Sequence, residues 1–293
     1  MTDDYGAMIK TNGALTRHKA RLVANGKSQE ACFDFTETFS LVVKGADLAY
    51  ILLYIDDIVL AASSPKVLGL IIESLKTEFP MTDLGKIHHF LGMKASYNEQ
   101  GPLLSQATYL SEILTRAGMQ ACKSCATPVD LKSKLSVNSG EPVTDATEYK
   151  SLAGALHFLT FTRTDISYAI HQVCLYMHDP KKPLVQALKR IIRYIKSTLH
   201  HRIQLVKGSL TSFTVYSDAD WTGFLDTRRS TSGYYVFLGQ NIISWSVKRQ
   251  QTVSRSSSEA ECKGVENTVA ELCWIRNLML ELHFPHQGVC CLP

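Results

Sequence analysis

The 293-residue chain has no long uninterrupted hydrophobic run and no apolar stretch after Met1. Its longest apolar segment, residues 48–62, is interrupted by Asp56 and Asp57, which argues against a membrane span. The missing apolar leader also argues against a signal peptide. We therefore expect an intracellular protein, of the cytoplasm or the nucleus, with no membrane partner.

The sequence also lacks a complete metal-binding cysteine pattern. Cys122 and Cys125 have the spacing of half a zinc site, but no second pair of Cys or His follows at ligand spacing. This favours two loop thiols without a metal. Because no secretory signal precedes them, we interpret all eight cysteines as reduced and expect no disulfide-linked partner.

Composition indicates a globular protein. Hydrophobic residues make up 45% of the chain and charged residues 20%, which excludes disordered, collagen-like and coiled-coil chains. The net charge is only +4, but residues 179–207 contain eight Lys and Arg against one acid. A helix predicted at 183–199 places three cations opposite its apolar stripe, namely Lys189, Arg193 and Lys196. They form either a phosphate-facing surface or an ordinary solvated face.

Periodicity and turn signals predict an α+β chain. Residues 48–62 have the pattern of a β-hairpin, and Ser64 and Pro65 open an amphipathic helix. Ser256 and Glu259 fit a capping box at the start of the last helix. The remaining predicted strands are 87–97, 103–105, 212–217, 234–238 and 242–246, and the remaining predicted helices are 108–117, 147–162, 165–177, 183–199 and 257–282.

The adjacent carboxylates Asp56 and Asp57 lie at the tip of the predicted hairpin. Such a pair between apolar strands is costly to bury without a cation, so it indicates either a divalent-metal site or an exposed turn. In its context, Tyr54-Ile55-Asp56-Asp57 followed by Ile58-Val59-Leu60, the segment resembles the catalytic hairpin of reverse transcriptases.

This resemblance extends along nearly the whole chain to the Pol polyproteins of Ty1/copia-type retrotransposons. The matching segments are 19–26 and 34–40 (fingers), 84–85 and 89–92 (palm), 149–159 and 162–166 (helical connection), and 217–221, 228–233 and 254–261 (ribonuclease H). The resemblance implies a partial reverse-transcriptase palm/thumb, a helical connection and a truncated ribonuclease H-like β-β-β-α unit. The corresponding boundaries are 1–44 for a fingers remnant, 45–120 for the palm, 121–147 for a linker, 148–208 for the connection and 209–293 for the ribonuclease H-like part.

The resemblance also implies two catalytic centres that use Mg²⁺ or Mn²⁺. The metal ligands would be Asp56 and Asp57 in the polymerase, and Asp218 and Glu261 in the ribonuclease H. The partner would be an RNA–DNA hybrid or duplex, contacted by Lys189, Arg193, Lys196, Arg228, Arg229, Lys248, Arg249 and Arg255. Asp220 and Glu259 are alternative carboxylates, which we interpret as a loop residue and as the capping partner of Ser256.

Both carboxylate sets are incomplete. Only residues 45–49 separate Lys44 from Tyr50, where the family has its first palm aspartate. Asp47 cannot replace it, because nine residues of strand place it roughly 30 Å from Asp56. No acid follows Glu281, and the tail 283–293 departs from the family, which predicts an exposed sheet edge.

We therefore predict a degenerate, internally deleted and C-terminally truncated Pol fragment without activity. A non-catalytic nucleic-acid-binding protein remains open. An intact RNA-directed DNA polymerase, if the deletion is a gene-model error, also remains open. So does a residual nuclease, and the sequence does not decide whether the chain is an enzyme.

Overall fold

The computed structural model describes residues 4–9, 15–21, 48–54, 57–130, 135–136, 140–208, 212–284 and 289–291. These form the mixed α+β structure that the sequence predicts, in two compact units, 1–87 and 88–293. Within the described ranges, no helix has both the length and the apolar character needed to cross a bilayer.

The first unit contains two separate antiparallel hairpins. Strands β1 (Asp4–Ile9) and β2 (Leu15–Arg21) pair with each other, in a region where the sequence pattern predicts no strand. Strands β3 (Ala49–Tyr54) and β4 (Asp57–Ala62) form the second hairpin, which was predicted from the two apolar runs.

Helix α1 (Pro65–Glu78) follows the second hairpin and is the predicted amphipathic helix. Ser64 caps it, because its hydroxyl accepts a hydrogen bond of 3.3 Å from the Val67 N–H. No residue of α1 is fully buried, so its apolar stripe is only partly covered in the described structure.

The second unit begins with a small antiparallel sheet of β5 (His89–Phe90), β6 (Met93–Tyr97), β7 (Pro102–Ser105) and β8 (Ile203–Gln204). The single strand predicted at 87–97 is wrong in one respect. A turn interrupts it at Leu91 and Gly92, whose φ angles of 49° and 69° cannot continue a strand.

Four helices form the main core of this unit: α2 (Ala107–Arg116), α3 (Thr147–Leu159), α4 (Ser167–Cys174) and α5 (Lys182–Ser197). Gly118, with φ of 62°, ends α2 as predicted. A 3-10 turn at Thr164–Ile166 precedes α4, so the helix predicted from 165 begins differently and is shorter than expected.

The C-terminal part contains β9 (Phe213–Asp220), β10 (Thr231–Leu238), β11 (Asn241–Arg249), α6 (Ser257–Glu281) and β12 (Val289–Cys291). The sheet order is β11-β10-β9-β12, in which β12 is parallel to β9 and the other pairs are antiparallel. The three strands and the helix occur in the predicted order, although each strand is longer than predicted.

The edge of this sheet differs from the prediction. The sequence predicted that the tail with Cys290 and Cys291 departs from the family where the next strand should begin. In the structure both residues lie in β12, opposite Thr214 and Val215. An exposed sheet edge was predicted, but β12 covers this edge of β9 along its first three residues, 213–215. From Tyr216 onward, β9 pairs only with β10 among the described residues.

The helices α2 to α5 have one buried core, and the C-terminal sheet with α6 has another. Phe224, in the loop after β9, is buried within the cluster of helical residues. On the sheet side, the Trp245 indole N–H donates to the carbonyl of Thr160 at 3.0 Å, just after α3. A buried aromatic anchor and a hydrogen bond across the boundary thus hold the sheet against the helices.

Candidate nucleic-acid interface and carboxylate positions

The hairpin of β3 and β4 presents its carboxylate at an exposed tip. Its register pairs Tyr54 with Asp57, and Asp57 is exposed at the start of β4. Leu53 is 68% exposed beside it. Asp56, the other half of the predicted metal pair, lies outside the described residues.

Asp218 was predicted at the end of the strand, but it is the sixth of the eight residues of β9. Its neighbours Ser217 and Ala219 face α6: Ser217 Oγ is 3.3 Å from Thr268 Oγ1, and a side-chain carbon added at Gly264 would lie 3.8 Å from the Ala219 Cβ. Because side chains alternate along a strand, Asp218 points to the opposite face of the sheet, where it is exposed.

Glu261 lies one turn before Gly264 on α6 and is half-buried. The start of α6 reaches the C-terminal end of β9, since the Trp221 indole N–H donates to the Ser254 carbonyl at 3.0 Å. The structure thus brings the start of α6 to the end of β9 that carries Asp218, but Asp218 faces away from α6.

The described residues contain no group of three or more His, Cys, Asp or Glu side chains that could hold a metal ion. Asp218 and Glu261 therefore lack the further carboxylates that a pair of metal ions requires. This donor set does not fit the two-metal centre that the family resemblance implies.

Glu259 has the capping role that the sequence predicts. Its N–H donates to Ser256 Oγ at 3.1 Å, and its carboxylate accepts from the Arg255 N–H at 2.8 Å. The hydrogen bond from Lys263, 2.8 Å away, is the main reason that the pKa of Glu259 lies below its usual value.

Asp220 is the last residue of β9, not a loop residue as predicted. It accepts a hydrogen bond from Tyr168 on α4, and burial together with this acceptor raises the pKa of the Tyr168 phenol. Both residues line a cleft of about 500 Å³ between α4, α5, residues 128–130 and the loop that follows β9. Asp220 therefore contacts the helices rather than a shared site with Glu261.

The three predicted cations of α5 differ in their surroundings. Lys189 is exposed. Arg193 Nε donates to the carbonyl of Lys123 at 3.0 Å, and Lys196 Nζ donates to the carbonyl of Cys122 at 2.5 Å. The segment that was predicted as a linker thus lies along the basic face of α5.

The predicted cations of the C-terminal part do not form one stripe. Arg228, Lys248 and Arg255 are exposed, whereas Arg229 is half-buried. Lys248 is paired with Ser232, which faces α6, so the adjacent Arg249 points to the other face.

Arg249 has a specific packing role on that face. Its guanidinium lies 4.5 Å from the ring centre of Phe224, whose other neighbour is the ring of Tyr176, stacked at 5.6 Å. The backbone N–H of Arg249 donates to His171 Nε2 at 3.1 Å. Burial, and then the charge of Arg249, lower the pKa of His171 to about 4.

Sequence reasoning missed a buried ion pair in the 162–166 motif. Arg163, 1% exposed, donates to both carboxylate oxygens of Asp165 at 2.9 and 2.7 Å, and to the carbonyl and hydroxyl of Thr198. Tyr194 also donates to Asp165, at 2.8 Å. Burial alone would raise the pKa of Asp165, but Arg163 outweighs it and holds the pKa below its usual value. An Arg two residues before an Asp between apolar helices is the signal that could have indicated this pair.

Comparison with known proteins agrees with the resemblance of the hairpin segment to reverse transcriptases. Residues 43–131 match the family model described as reverse transcriptase (RNA-dependent DNA polymerase). The uncharacterized mitochondrial protein AtMg00810 of Arabidopsis thaliana is 46% identical over 225 residues, which cover 77% of this chain and 93% of that protein. No solved structure matches the chain.

Two longer relatives carry transposon names. The retrovirus-related Pol polyprotein from transposon RE1 of Arabidopsis thaliana is 44% identical over 82% of this chain, and that from transposon TNT 1-94 of Nicotiana tabacum is 30% identical over 79%. The matched regions span only 16% and 18% of those polyproteins. The chain belongs to the reverse transcriptase family of copia-type retrotransposon Pol polyproteins.

Proposed function

We propose that this chain is a degenerate Pol segment in which a reverse-transcriptase hairpin precedes a ribonuclease H-like unit, and that it catalyses neither polymerisation nor hydrolysis by itself. The observation that carries the ribonuclease H-like assignment is the arrangement of the C-terminal sheet. Three antiparallel strands are followed by a helix and by a strand parallel to the first. Asp218 lies on the first strand and Glu261 near the start of the helix.

The lack of activity is inferred from the carboxylates. Two-metal hydrolysis needs several carboxylates that converge on ions about 4 Å apart. Here Asp218 lies on the sheet face opposite α6, and the described residues offer no third ligand at the site. Mg²⁺ or Mn²⁺ would be the cofactor of any activity that remains.

Incubation of the purified chain with a labelled RNA–DNA hybrid in Mg²⁺ or Mn²⁺ tests the hydrolysis part. We expect no cleavage above background. Cleavage that disappears in both Asp218→Asn and Glu261→Gln would contradict the proposal, whereas cleavage that persists in both variants indicates a contaminating nuclease.

Primer extension on an RNA template tests the polymerase part. We expect no extension by the 293-residue chain. Extension that is lost in Asp56→Asn would show that this chain polymerises and would contradict the proposal.

A second function, binding to RNA–DNA hybrid or duplex, is supported by the charge of α5. This helix carries five cations and no acid: Lys182, Lys189, Arg190, Arg193 and Lys196. Phosphate contacts by such residues make affinity fall steeply with salt, with a slope of about −0.9 per phosphate on a log–log plot. We expect salt-sensitive binding that Lys189→Gln weakens and that Lys66→Gln, on exposed α1, leaves unchanged. Absent or salt-independent binding would exclude this function.

A further inference from the structure

Three of the five cations of α5 have acceptors in one preceding stretch of chain. We call residues 122–130 the strap. Its acceptors serve Arg190, Arg193 and Lys196, and Glu141, beyond the strap, pairs with Lys182. Within the described structure, Lys189 is the one cation of α5 without an intramolecular acceptor. Most cations of the helix are therefore already hydrogen-bonded or paired within the fold, although, among the described residues, only Lys182 and Arg190 face a carboxylate.

The strap runs antiparallel to α5, so its acceptors meet the cations of the helix in reverse sequence order. Its first residues, Cys122 and Lys123, serve Lys196 and Arg193 through their backbone carbonyls. Arg190, one turn closer to the start of α5, meets the other end of the strap. A row of oxygen acceptors along a basic helix face resembles what a phosphate backbone offers to the same side chains.

Arg190 is contacted by side chains of the strap, whereas Arg193 and Lys196 are contacted by its backbone carbonyls. Its Nη2 donates to Thr127 Oγ1 at 2.8 Å and its Nε to the Thr127 carbonyl at 3.2 Å. Asp130 lies 3.6 Å from Nη1 and supplies the charge of the pair. Mutation can therefore weaken the strap at this point without changing α5.

The strap packs against the core at its ends and is held by hydrogen bonds between them. Met119, just before it, and Val129 pack against the helical core. Between these anchors, the side chains of Lys123, Ser124, Ala126 and Thr127 are exposed. The contacts with α5 there are hydrogen bonds between neutral backbone or hydroxyl groups of the strap and groups of the helix; they include the Cys125 N–H donating to the Arg193 carbonyl at 3.3 Å and Ser197 Oγ donating to the Cys125 carbonyl at 3.0 Å. Neutral carbonyl acceptors bind a guanidinium less strongly than a charged phosphate does. The middle of the strap can thus be displaced by a stronger acceptor at modest cost.

We propose that the strap is an intramolecular competitor of nucleic acid for the basic face of α5. In this closed state the face is covered, and binding of an RNA–DNA hybrid displaces the strap so that phosphates replace its carbonyls. The inference rests on the proposed nucleic-acid binding and adds its regulation. A purely structural strap would stabilise the helices but would not compete with the ligand.

The test measures binding of a fluorescein-labelled RNA–DNA hybrid by anisotropy over a salt series, with the full chain. The double variant Thr127→Val/Asp130→Asn removes the hydroxyl acceptor of Arg190 and the negative charge that faces it. We expect several-fold tighter binding and a salt slope steeper by about 0.9, the value for one added phosphate contact. Arg190→Gln in the same background should abolish this gain, because the released side chain is then missing.

Glu112→Gln is the matched control for loss of one negative charge, since Glu112 is exposed on α2. It should not tighten binding comparably. If the double variant does not fold by circular dichroism, Thr127→Val alone carries the test, because Thr127 is exposed and its replacement leaves no buried gap.

The outcomes distinguish failure of the strap competition from failure of the proposed nucleic-acid binding. Salt-dependent binding by the unaltered chain with equal or weaker binding by the strap variants overturns competition and leaves the proposed binding intact. A gain that survives Arg190→Gln also overturns it. No salt-dependent binding by any of the proteins overturns the proposed binding, and the competition with it.

Discussion

Replacement of Asp165 by Asn should destabilise the second unit by about 2 kcal/mol. The change leaves the guanidinium of Arg163 buried without its charged partner. Removal of one member of a buried ion pair usually costs about 3–5 kcal/mol, because the remaining charge is uncompensated. The Arg163 side chain is 1% exposed, so it meets the condition for that range.

Two features of the site reduce this cost. Asp165 is 32% exposed, so solvent screens part of its charge. Arg163 also keeps the carbonyl and the hydroxyl of Thr198 as acceptors. Asn retains an oxygen that can accept one of the two former hydrogen bonds. These compensations place the expected loss below the usual range.

Tryptophan fluorescence during urea unfolding is a suitable assay, because Trp221, Trp245 and Trp274, the three tryptophans of the chain, all lie in residues 88–293. The signal therefore reports on the second unit alone. Asp179→Asn is the matched control: Asp179 is 63% exposed and pairs with Lys181 at 2.8 Å, and such a surface pair contributes less than about 1 kcal/mol.

Equal losses for the two variants would refute the reasoning. A second check uses Arg163→Met together with Asp165→Asn. The double variant no longer buries an unpaired charge, so its loss should be smaller than the sum of the two single losses. An additive result would show that the pair does not act as a unit.

The same carboxylate predicts how stability depends on acid. The pKa of Asp165 in the fold lies below its usual value of 3.8. Its contribution is therefore complete above that value and is lost as pH falls through the lower, folded pKa. Asp165→Asn should remove this part of the acid sensitivity, below about pH 4.

Three further changes have expected outcomes in the same urea assay. His171→Gln keeps an acceptor for the Arg249 backbone N–H but no longer titrates. Because the folded pKa of His171 is lowered to about 4, protonation favours the unfolded state, so the stability of the unaltered protein should fall by about 3 kcal/mol between about pH 6.5 and pH 4; the variant should lose this slope. Phe224→Ala should cost about 3–5 kcal/mol, because the ring is buried in the helical core; a loss under 1 kcal/mol would contradict that anchoring role. Gly154→Ala, with open space around it, should stabilise the protein by about 0.5–1 kcal/mol. Gly264→Ala should destabilise it by about 1 kcal/mol, because the added methyl group would contact β9. Equal effects of the two changes would refute the close approach of α6 to β9 at Gly264.

Local sequence signals predicted local structure well. Ser64 caps α1, Gly118 ends α2, and Ser256 with Glu259 caps α6, each at the predicted position. The apolar runs around residues 55–56 predicted the β3–β4 hairpin. These features depend on residues a few positions apart, and their partners are therefore visible in the sequence itself.

The errors concern partners that are distant in sequence. Polar residues at 121–130 indicated a linker, yet their carbonyls bind side chains about 70 residues later on α5. Strand β12 pairs with β9 across a similar separation. The sequence pattern did not single out Phe224, which enters the helical core. No local pattern encodes which distant group will satisfy a carbonyl or bury a ring.

The basic residues show why a charge count overestimates a nucleic-acid footprint. Eight cations were predicted to contact phosphate, but Arg193 and Lys196 donate to the strap and Arg249 packs on Phe224. A cation with an internal acceptor must give up that hydrogen bond before it meets a phosphate, so its net contribution to binding is smaller than its charge suggests. The exposed cations, Lys189 among them, have no such cost. Binding by this chain should therefore begin at the exposed cations and extend along α5 only as the strap is displaced.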